Sequence, residues 1–328
     1  MTAKKWINIA IIIIFIIFFF NTTYLYVIDT YKIVTPDSNE YKVIPNQRVP
    51  ITEYILKNKD IYDSLIFGSS RVGYINPFHI NNQSVYNMTY AAGIPHEHLL
   101  IIKLLLDRGM KLKHLLIGLD DISYQGNFEE YQTKLGSKSH YLVTSETKLE
   151  FYKDFFFHKP SKDDYKSFSK KDLPLELREH IYNSIYNQQK LYTEAKHINT
   201  RTAKYINDPK FNYPIIVYDS NQVNESLADI KEIVNISKIY NIDTKFIIVP
   251  MHKKTYEFSN KERFYEFRKK LSEITSYYDF GLPNEVNNNN IYWKETSHFT
   301  TEVGDMILNR IYDNNTSIKN FGVFVNKI

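Results

Sequence analysis

Short apolar runs that stop at small or polar residues alternate with amphipathic stretches in two parts of the chain. The predicted strands are Ser64–Phe67, Ser84–Met88, His114–Leu119, Lys245–Val249 and Tyr278–Phe280. The predicted helices are His96–Arg108, Glu225–Tyr240, Lys261–Ser276 and Thr301–Tyr312. Strands that alternate with helices form a parallel sheet with helices on both faces. The pattern therefore predicts an α/β fold with three layers, α/β/α.

This alternation is interrupted at about residues 122–215. The segment is rich in Lys, Tyr, Ser and Phe, and within it Leu175–Tyr192 has a helical pattern. A segment of this length is too long for a plain loop. We expect a helical insertion that forms a lid over the functional site. The alternative is a helical pack that stabilises the sheet or meets a partner.

The amino-terminal residues have a different pattern. Lys4 and Lys5 precede an uncharged run, Trp6–Ile28, whose centre is almost entirely Ala, Ile and Phe. As a helix this run is roughly 34 Å long at about 1.5 Å per residue, enough to cross a hydrocarbon core of about 30 Å. The run predicts a membrane anchor. A cleaved signal peptide and a buried soluble helix are the alternatives, although no small-x-small cleavage site directly follows Phe20.

The charges around this helix predict the topology. Positive charge before it and mixed charge after it place the amino end in the cytoplasm and the rest of the chain outside the inner membrane. Residues 29–60 are polar, contain Pro36, Pro45 and Pro50, and are typical of a stalk. The expected organisation is an anchor at 1–28, a stalk at 29–60 and a domain at 61–328 that contains the insertion.

Composition limits the classes of function. The chain has 328 residues with 27 Tyr, 21 Phe and few Gly or Pro, which argues for a folded protein. Its 41 basic and 37 acidic residues are spread along the chain, so no nucleic-acid partner is expected. The absence of cysteine excludes disulfides, thiolate catalysis and zinc sites built on cysteine.

The first predicted strand ends at Gly68-Ser69-Ser70. In parallel sheets of this kind, ligands bind beyond the carboxyl ends of the strands. A serine at a strand-to-helix turn has an exposed hydroxyl and a backbone N–H near the positive end of the helix, which suits a nucleophile. The alternative is an ordinary N-cap serine of the following helix.

A second candidate lies just before the last predicted helix, where Glu295 and His298 are three residues apart. A histidine that acts as a general base needs an acceptor on its other ring nitrogen, and a carboxylate one turn away can supply it. The alternative is a surface Glu and a surface His. A metal site is not expected, because no second pair of this kind and no HExxH sequence completes a ligand set.

Together these features resemble the SGNH (GDSL-like) hydrolase superfamily, in particular its membrane-anchored members that O-acylate or deacylate cell-surface polysaccharides. Phe67-Gly68-Ser69-Ser70 is similar to the family's Gly-Asp-Ser block. Glu295-Thr296-Ser297-His298 is similar to its Asp-x-x-His block, with Glu in place of Asp. The resemblance covers about residues 61–120 and 243–312. It implies a flavodoxin-like sheet, Ser70 as nucleophile, His298 as base and Glu295 as the acid that orients the base.

The same resemblance implies an oxyanion hole built from the N–H groups of Ser70 and Gly93. The family's third block usually supplies an asparagine amide, but Asp120 stands at that place. An ionised carboxylate has no proton to donate to an oxyanion. The hole is therefore expected to use Ser70 and Gly93 alone or with the help of Asn87. Asp120 is expected to cap a helix or to bind a substrate hydroxyl.

Two further residues are candidates for contact with substrate. Arg71 follows Ser70 and is expected to pair with Asp120 or Asp121 or to contact an acidic sugar. His252 follows the fourth strand and is expected either to face the pocket or to lie exposed in a loop.

The resemblance implies serine-dependent transfer of an acyl group to a cell-surface polysaccharide, or removal of such a group, through an acyl-enzyme and with no metal or organic cofactor. Acetyl is the expected acyl group. The expected partners are the polysaccharide or acyl-ester substrate, the lipid bilayer and a multi-spanning membrane acyltransferase. The expected location is the cytoplasmic membrane, with one span and an extracytoplasmic catalytic domain. The alternative from another class is a catalytically inert SGNH-like binding or assembly protein of a polysaccharide export system.

Overall fold

One mixed sheet is present in the computed structural model, which describes residues 2–35, 40–157, 162, 165–166, 171–193, 201–214, 220–316 and 318–328. Its strands are β1 (Ser64–Phe67), β2 (Val85–Asn87), β3 (His114–Leu119), β4 (Asp243–Ile248), β5 (Tyr277–Asp279) and β6 (Val323–Val325). The strand order is β2-β1-β3-β4-β5-β6. All neighbouring strands are parallel except β5 and β6, which are antiparallel.

Helices connect these strands. Their bounds are α1 (Ala3–Ile28), α2 (Arg48–Lys57), α3 (Pro95–Asp107), α4 (Phe128–Gln132), α5 (Tyr141–Thr144), α6 (Lys148–Phe157), α7 (Leu175–Tyr186), α8 (Gln188–Thr193), α9 (Ala203–Ile206), α10 (Val223–Ile239), α11 (Lys253–Phe258), α12 (Lys261–Ile274), α13 (Glu285–Asn288) and α14 (Thr301–Tyr312). The protein is thus an α/β protein with a mostly parallel sheet and an apolar amino-terminal helix. The predicted strands and the predicted helices around the sheet are confirmed to within a few residues.

The register of the sheet sets the position of the candidate residues. Phe67 at the end of β1 pairs with Ile117 of β3, so the chain leaves both strands at the same edge. A bridge between Ser69 and Tyr90 continues the pairing of β1 with β2 beyond the ends of the strands. The segments that follow β1, β2 and β3 therefore meet at one edge of the sheet.

The contacts within the chain divide it into two compact units. One consists of residues 1–50 and 131–182, and the other of residues 51–130 and 183–328, which includes the whole sheet. Residues 131–182 of the expected insertion thus group with the amino-terminal segment, while its two ends group with the sheet. The expected stalk contains the helix α2, where Val49, Ile51 and Ile55 are buried.

The unit of residues 1–50 and 131–182 is called the amino-terminal unit below. Within it, the stretch Ala3–Val27 of α1 has a mean hydropathy of 2.3 and is long and apolar enough to cross a membrane. By length and composition it fits an anchor or a signal sequence. Most of its large apolar side chains are exposed, but Leu25 is buried in a cluster with Ile33, Val49, Phe151 and Phe155. The end of α1 therefore packs against the rest of its unit.

Candidate active site

Ser70, His298 and Glu295 form a chain of hydrogen bonds. The hydroxyl of Ser70 lies 2.9 Å from Nε2 of His298, and Nδ1 of His298 contacts Oε1 of Glu295. Both Ser70 and His298 are half-buried. The structure thus brings together the three residues that the sequence predicted as nucleophile, base and orienting acid.

The backbone fixes the carboxylate of Glu295. Oε1 accepts a hydrogen bond from the His298 N–H at 3.0 Å, and Oε2 accepts one from the Ser297 N–H. Burial raises the pKa of Glu295, but the hydrogen bonds and charge of His298 and these two N–H groups outweigh burial and leave its pKa below the ordinary value. Glu295 is therefore ionised at neutral pH, which favours the tautomer with the proton on Nδ1 and leaves Nε2 to accept from Ser70.

The turn after β1 depends on glycine. Gly68 has φ of +153°, and a Cβ at this position would lie 2.4 Å from the Val72 side chain and 3.0 Å from the Gly118 oxygen. This turn leads to a short 3-10 helix, Val72–Tyr74, whose N-cap is Arg71. The hydroxyl of Ser70 contacts His298 and does not cap that helix. The alternative reading of Ser70 as an N-cap serine is therefore not what the structure shows.

Asp120 occupies the position where the family resemblance expected an oxyanion donor. Its side chain is buried, accepts from the Ser69 hydroxyl at 2.5 Å and accepts from the Ser123 N–H at 3.2 Å. Burial raises the pKa of Asp120, while the charge of Arg71 opposes this rise. Asp120 thus holds the residue before Ser70 in place, and the structure does not present it to a substrate hydroxyl.

Arg71 connects the segment of Ser70 to the segment of His298. Its guanidinium pairs with Asp121 and lies 3.5 Å from Asp120, as predicted. Its Nε also donates to the Ser297 hydroxyl at 3.0 Å, a contact that the sequence did not predict. Burial lowers the pKa of Arg71, but the charges of Asp121 and Asp120 outweigh it and raise the pKa. The side chain is 3% exposed, so it faces the protein and not an acidic sugar.

Gly93 lies beside the turn of Ser70. A Cβ on Gly93 would stand 2.5 Å from the Gly68 oxygen, so only glycine allows this approach of the two backbones. The Gly93 N–H donates to the Tyr90 oxygen across a long 3.3 Å. An oxyanion that used the Gly93 N–H would have to replace this weak bond.

Asn87 is not a free donor, which corrects the expectation that its amide could assist the oxyanion hole. Its Nδ2 donates to the Ile75 oxygen at 3.1 Å and to the Tyr192 hydroxyl at 3.0 Å. Its Oδ1 accepts from the N–H and the hydroxyl of Thr89. These partners engage both amide hydrogens in a buried network.

His252 is fully buried, which corrects both readings made from the sequence. Its Nε2 bonds to Oδ1 of Asn290 at 3.0 Å, and its Nδ1 accepts from the Lys254 N–H at 3.1 Å. Its ring packs against Phe211 and Trp293. Burial lowers the pKa of His252. The residue therefore supports the packing under the His298 segment and does not face a pocket.

A groove with a cavity volume of about 350 Å³ lies between the segments that follow Ser70 and His298 along the chain. Phe78 forms an exposed aromatic surface there, and Nδ1 of His79 lies 2.6 Å from a carboxylate oxygen of Asp305. Gln189 and Tyr192 complete one wall. This groove could not be predicted from the sequence because its residues come from three distant segments that carry no motif.

Among the described residues, no group of three or more His, Cys, Asp or Glu side chains is arranged to hold a metal ion. No family model matches the chain, and no curated protein matches it either. The chemistry of the site thus rests on its own geometry.

Proposed function

We propose that the protein is a serine esterase or O-acyltransferase of the SGNH type. The observation that carries the proposal is the hydrogen-bonded series of Ser70, His298 and Glu295 at the carboxyl edge of the mostly parallel sheet. A nucleophile in contact with a base, which is itself oriented by a third group, is the arrangement that acyl transfer through a covalent intermediate requires.

In the first half of the reaction, Nε2 of His298 takes the proton from Ser70 as Oγ attacks the carbonyl carbon of an acyl ester. The tetrahedral intermediate collapses, the bond to the alcohol breaks, and the leaving alkoxide takes the proton from His298. The acyl group then remains on Ser70. Glu295, which is ionised, stabilises the imidazolium between these proton transfers.

In the second half, His298 takes a proton from a second hydroxyl that attacks the acyl-enzyme. The Ser70 oxygen leaves and recovers the proton from His298. If the attacking hydroxyl belongs to water, the protein is an esterase. If it belongs to a sugar, the protein is an acyltransferase.

The N–H groups of Ser70 and Gly93 are the proposed oxyanion donors. The close approach of Gly93 to Gly68 supports this assignment, because it brings both backbones to one place. In well-studied enzymes, one hydrogen-bond donor in an oxyanion hole stabilises the transition state by about 3–4 kcal/mol. No side-chain donor from Asn87 or Asp120 is included.

Transfer to a polysaccharide is the more specific part of the proposal. The groove of about 350 Å³ between the segments that follow Ser70 and His298 has an aromatic surface at Phe78 and polar groups at His79, Gln189 and Asp305. Tyr192 and Tyr205, from the end of the expected insertion, bond to the Gly73 and Trp293 oxygens at 2.6 Å. These contacts attach the carboxyl-terminal end of the insertion, which belongs to the same unit as the sheet, to both segments of the site. A cover that excludes water would need such contacts.

The finer features of the fold belong to the same proposal. The order of the first five strands, 2-1-3-4-5, matches that of flavodoxin-like sheets. A layer of helices on each face of the sheet and an extracytoplasmic location behind α1 are proposed with it. The proposed environment is a polysaccharide-modifying system with a multi-spanning acyltransferase.

The catalytically inert alternative has one observation in its favour, since neither Asp120 nor Asn87 offers a third oxyanion donor. A fluorophosphonate probe distinguishes the two functions, because only an activated serine reacts with it. We expect covalent labelling of the full chain in detergent, its loss in Ser70→Ala and its retention in Ser259→Ala. A full chain that is folded and does not label would favour the binding protein.

Transfer and hydrolysis are then distinguished by the products. Protein that has not been treated with the probe would be given an activated acetyl ester and short oligosaccharides from the cells that produce it. Acetyl recovered on sugar supports transfer. Acetyl recovered only as free acetate, whatever sugar is offered, supports the esterase.

A further inference from the structure

In the amino-terminal unit, α6 runs beside the apolar helix α1. The ring of Phe157 stacks on the ring of Phe18, with centroids 5.5 Å apart. One turn further along α1, the amide of Asn21 donates to the Phe156 oxygen at 3.5 Å, a long contact. Another turn along, Leu25 shares a buried cluster with Phe155.

These contacts fix the direction of α6. Residues 18, 21 and 25 ascend α1, while their partners 157, 156 and 155 run backwards in sequence. The two helices are therefore antiparallel at this contact, and the carboxyl end of α6 points towards the apolar centre of α1. At about 1.5 Å per residue, the ten residues of α6 span roughly 15 Å.

The depth of this contact follows from the sequence of α1. The apolar centre of α1 ends at Phe20, and the polar residues Asn21, Thr22 and Thr23 follow. Phe18 lies three residues before Asn21, which corresponds to about 4.5 Å along the helix axis. If α1 crosses a bilayer, the ring of Phe157 lies just below the level at which polar residues return.

Along the second half of α6, the exposed side chains change from charged to apolar towards the carboxyl end. Phe157 is 62% exposed at the carboxyl end, where it continues the exposed apolar surface of α1. Lys153 and Asp154, one turn earlier, are exposed and charged, and Asp154 pairs with Lys138. Charged groups one turn above an exposed aromatic end fit the boundary between lipid headgroups and acyl chains.

We propose that the carboxyl end of α6 enters the outer interfacial layer of the bilayer beside α1. The occupant of this apolar surface is lipid, because Phe157 is continuous with the surface of α1 that a membrane would cover. The amino-terminal unit then contacts the membrane at two points, and α1 is retained as part of that unit. This inference goes beyond the acyl-transfer proposal and does not depend on it.

The test uses the absence of cysteine from the chain, which allows single labels without background. Phe157→Cys, Ile16→Cys and Phe258→Cys would each carry a nitroxide on the full chain in phosphatidylethanolamine and phosphatidylglycerol vesicles. Ile16 is an exposed position of α1, and Phe258 is 61% exposed on the other unit. Paramagnetic resonance then compares accessibility to oxygen, which concentrates in lipid, with accessibility to a water-soluble nickel chelate.

We expect the label at 157 to resemble the label at 16 and to differ from the label at 258. Leu149→Cys provides a matched control on the same helix, because Leu149 is 80% exposed at its other end. It should report water. Water-like values at 157, or values at 157 that equal those at 149, would overturn the proposal.

A second measurement tests the position of α6 without relying on lipid contact. In vesicles, a short bifunctional thiol reagent should link the pair Phe18→Cys and Phe157→Cys and should not link Phe18→Cys with Leu149→Cys. Failure to link the first pair would overturn the proposal, because α6 would then lie away from α1.

Discussion

Arg71 donates from its Nε to the hydroxyl of Ser297 across 3.0 Å. Arg71 directly follows Ser70 in the chain, and Ser297 directly precedes His298. This one bond therefore joins the segment that carries the proposed nucleophile to the segment that carries the proposed base. The acidic pair on the other side of the guanidinium, Asp120 and Asp121, anchors the same connection to the end of β3.

We expect Ser297→Ala and Arg71→Lys to lower kcat by about tenfold each, which corresponds to about 1.4 kcal/mol. Lysine keeps the charge near Asp121 but lacks the Nε–H that reaches Ser297. Because both changes remove the same bond, the double variant should lose little more than either single variant. Steady-state kinetics of the four proteins test this coupling, and fully additive losses would contradict it.

Arg71→Met, compared with Arg71→Lys, tests how much the charge of Arg71 contributes to the free energy of unfolding. It removes the positive charge and leaves Asp120 and Asp121 buried beside each other, and loss of one partner of a buried ion pair typically costs about 3–5 kcal/mol. Unfolding in urea should show this loss, whereas Arg71→Lys should lose clearly less. Equal losses in the two variants would mean that packing, and not charge, is the contribution of Arg71.

Ser70→Ala and His298→Ala should each reduce kcat/KM for an activated acetyl ester by about 10⁴-fold or more, because members of such a series act as a unit. Glu295→Gln should lose less, since it removes the orienting charge but keeps the nucleophile and the base. Ser259→Ala, a serine far along the chain, serves as the control and should keep full activity. An ester turnover that survives Ser70→Ala would contradict the proposed nucleophile.

The lowered pKa of Glu295 predicts how stability depends on pH. A carboxyl group whose pKa is lowered in the folded state stabilises the protein when it is ionised. This stabilisation is complete above the ordinary pKa of glutamate, about 4.3, and is lost as pH falls through the lower folded value. The difference in unfolding free energy between the native chain and Glu295→Gln should therefore shrink below about pH 4.

Urea unfolding between pH 3 and pH 7 measures this difference. A difference in unfolding free energy that stays constant across this pH range would show that folding does not lower the pKa of Glu295. A difference that grows as pH falls would have the wrong sign.

Gly93→Ala should separate the backbones that approach each other at the site. The new methyl group would stand 2.5 Å from the Gly68 oxygen, and overpacking of this kind typically costs about 1–3 kcal/mol. We expect kcat to fall more than KM rises, because the proposed oxyanion donors move apart. Gly109→Ala is the control: its φ is +80°, and in the described part of the chain nothing lies within 4 Å of the new Cβ. Its loss should be limited to backbone strain, about 1 kcal/mol, with activity retained.

The sequence predicted the strands of the sheet because their residues are apolar and buried over a short run. β6 was not predicted, since its apolar run Val323–Val325 has only three residues and its Phe324 is 45% exposed. The contact of Ser70 with His298 was predicted because the blocks around both residues resemble those of one hydrolase superfamily. Their separation of 228 residues carries no local signal, so the strand-and-helix pattern alone did not predict the contact.

Other parts of the site could not be predicted from local pattern. The hydrogen bond of Ser69 to Asp120 joins the segments that follow the adjacent strands β1 and β3. It depends on the register of these two strands, which cannot be read from the sequence. Asn87 was expected to help the oxyanion hole because its partners, Ile75 and Tyr192, come from other segments. For the same reason His252 was expected to face the pocket or to lie exposed in a loop, although it is fully buried and packs against Phe211 and Trp293.

The cluster around Leu25 has a consequence for the order in which the chain is made. Leu25 packs with Phe151 and Phe155, which leave the ribosome about 130 residues later. At about 5–20 residues per second, this delay lasts roughly 6–26 s. In the anchored state that we propose, α1 enters the membrane long before its partners on α6 exist. The amino-terminal unit therefore closes late in biosynthesis, and a nascent chain that stalls before residue 151 would expose the end of α1 without its aromatic cover.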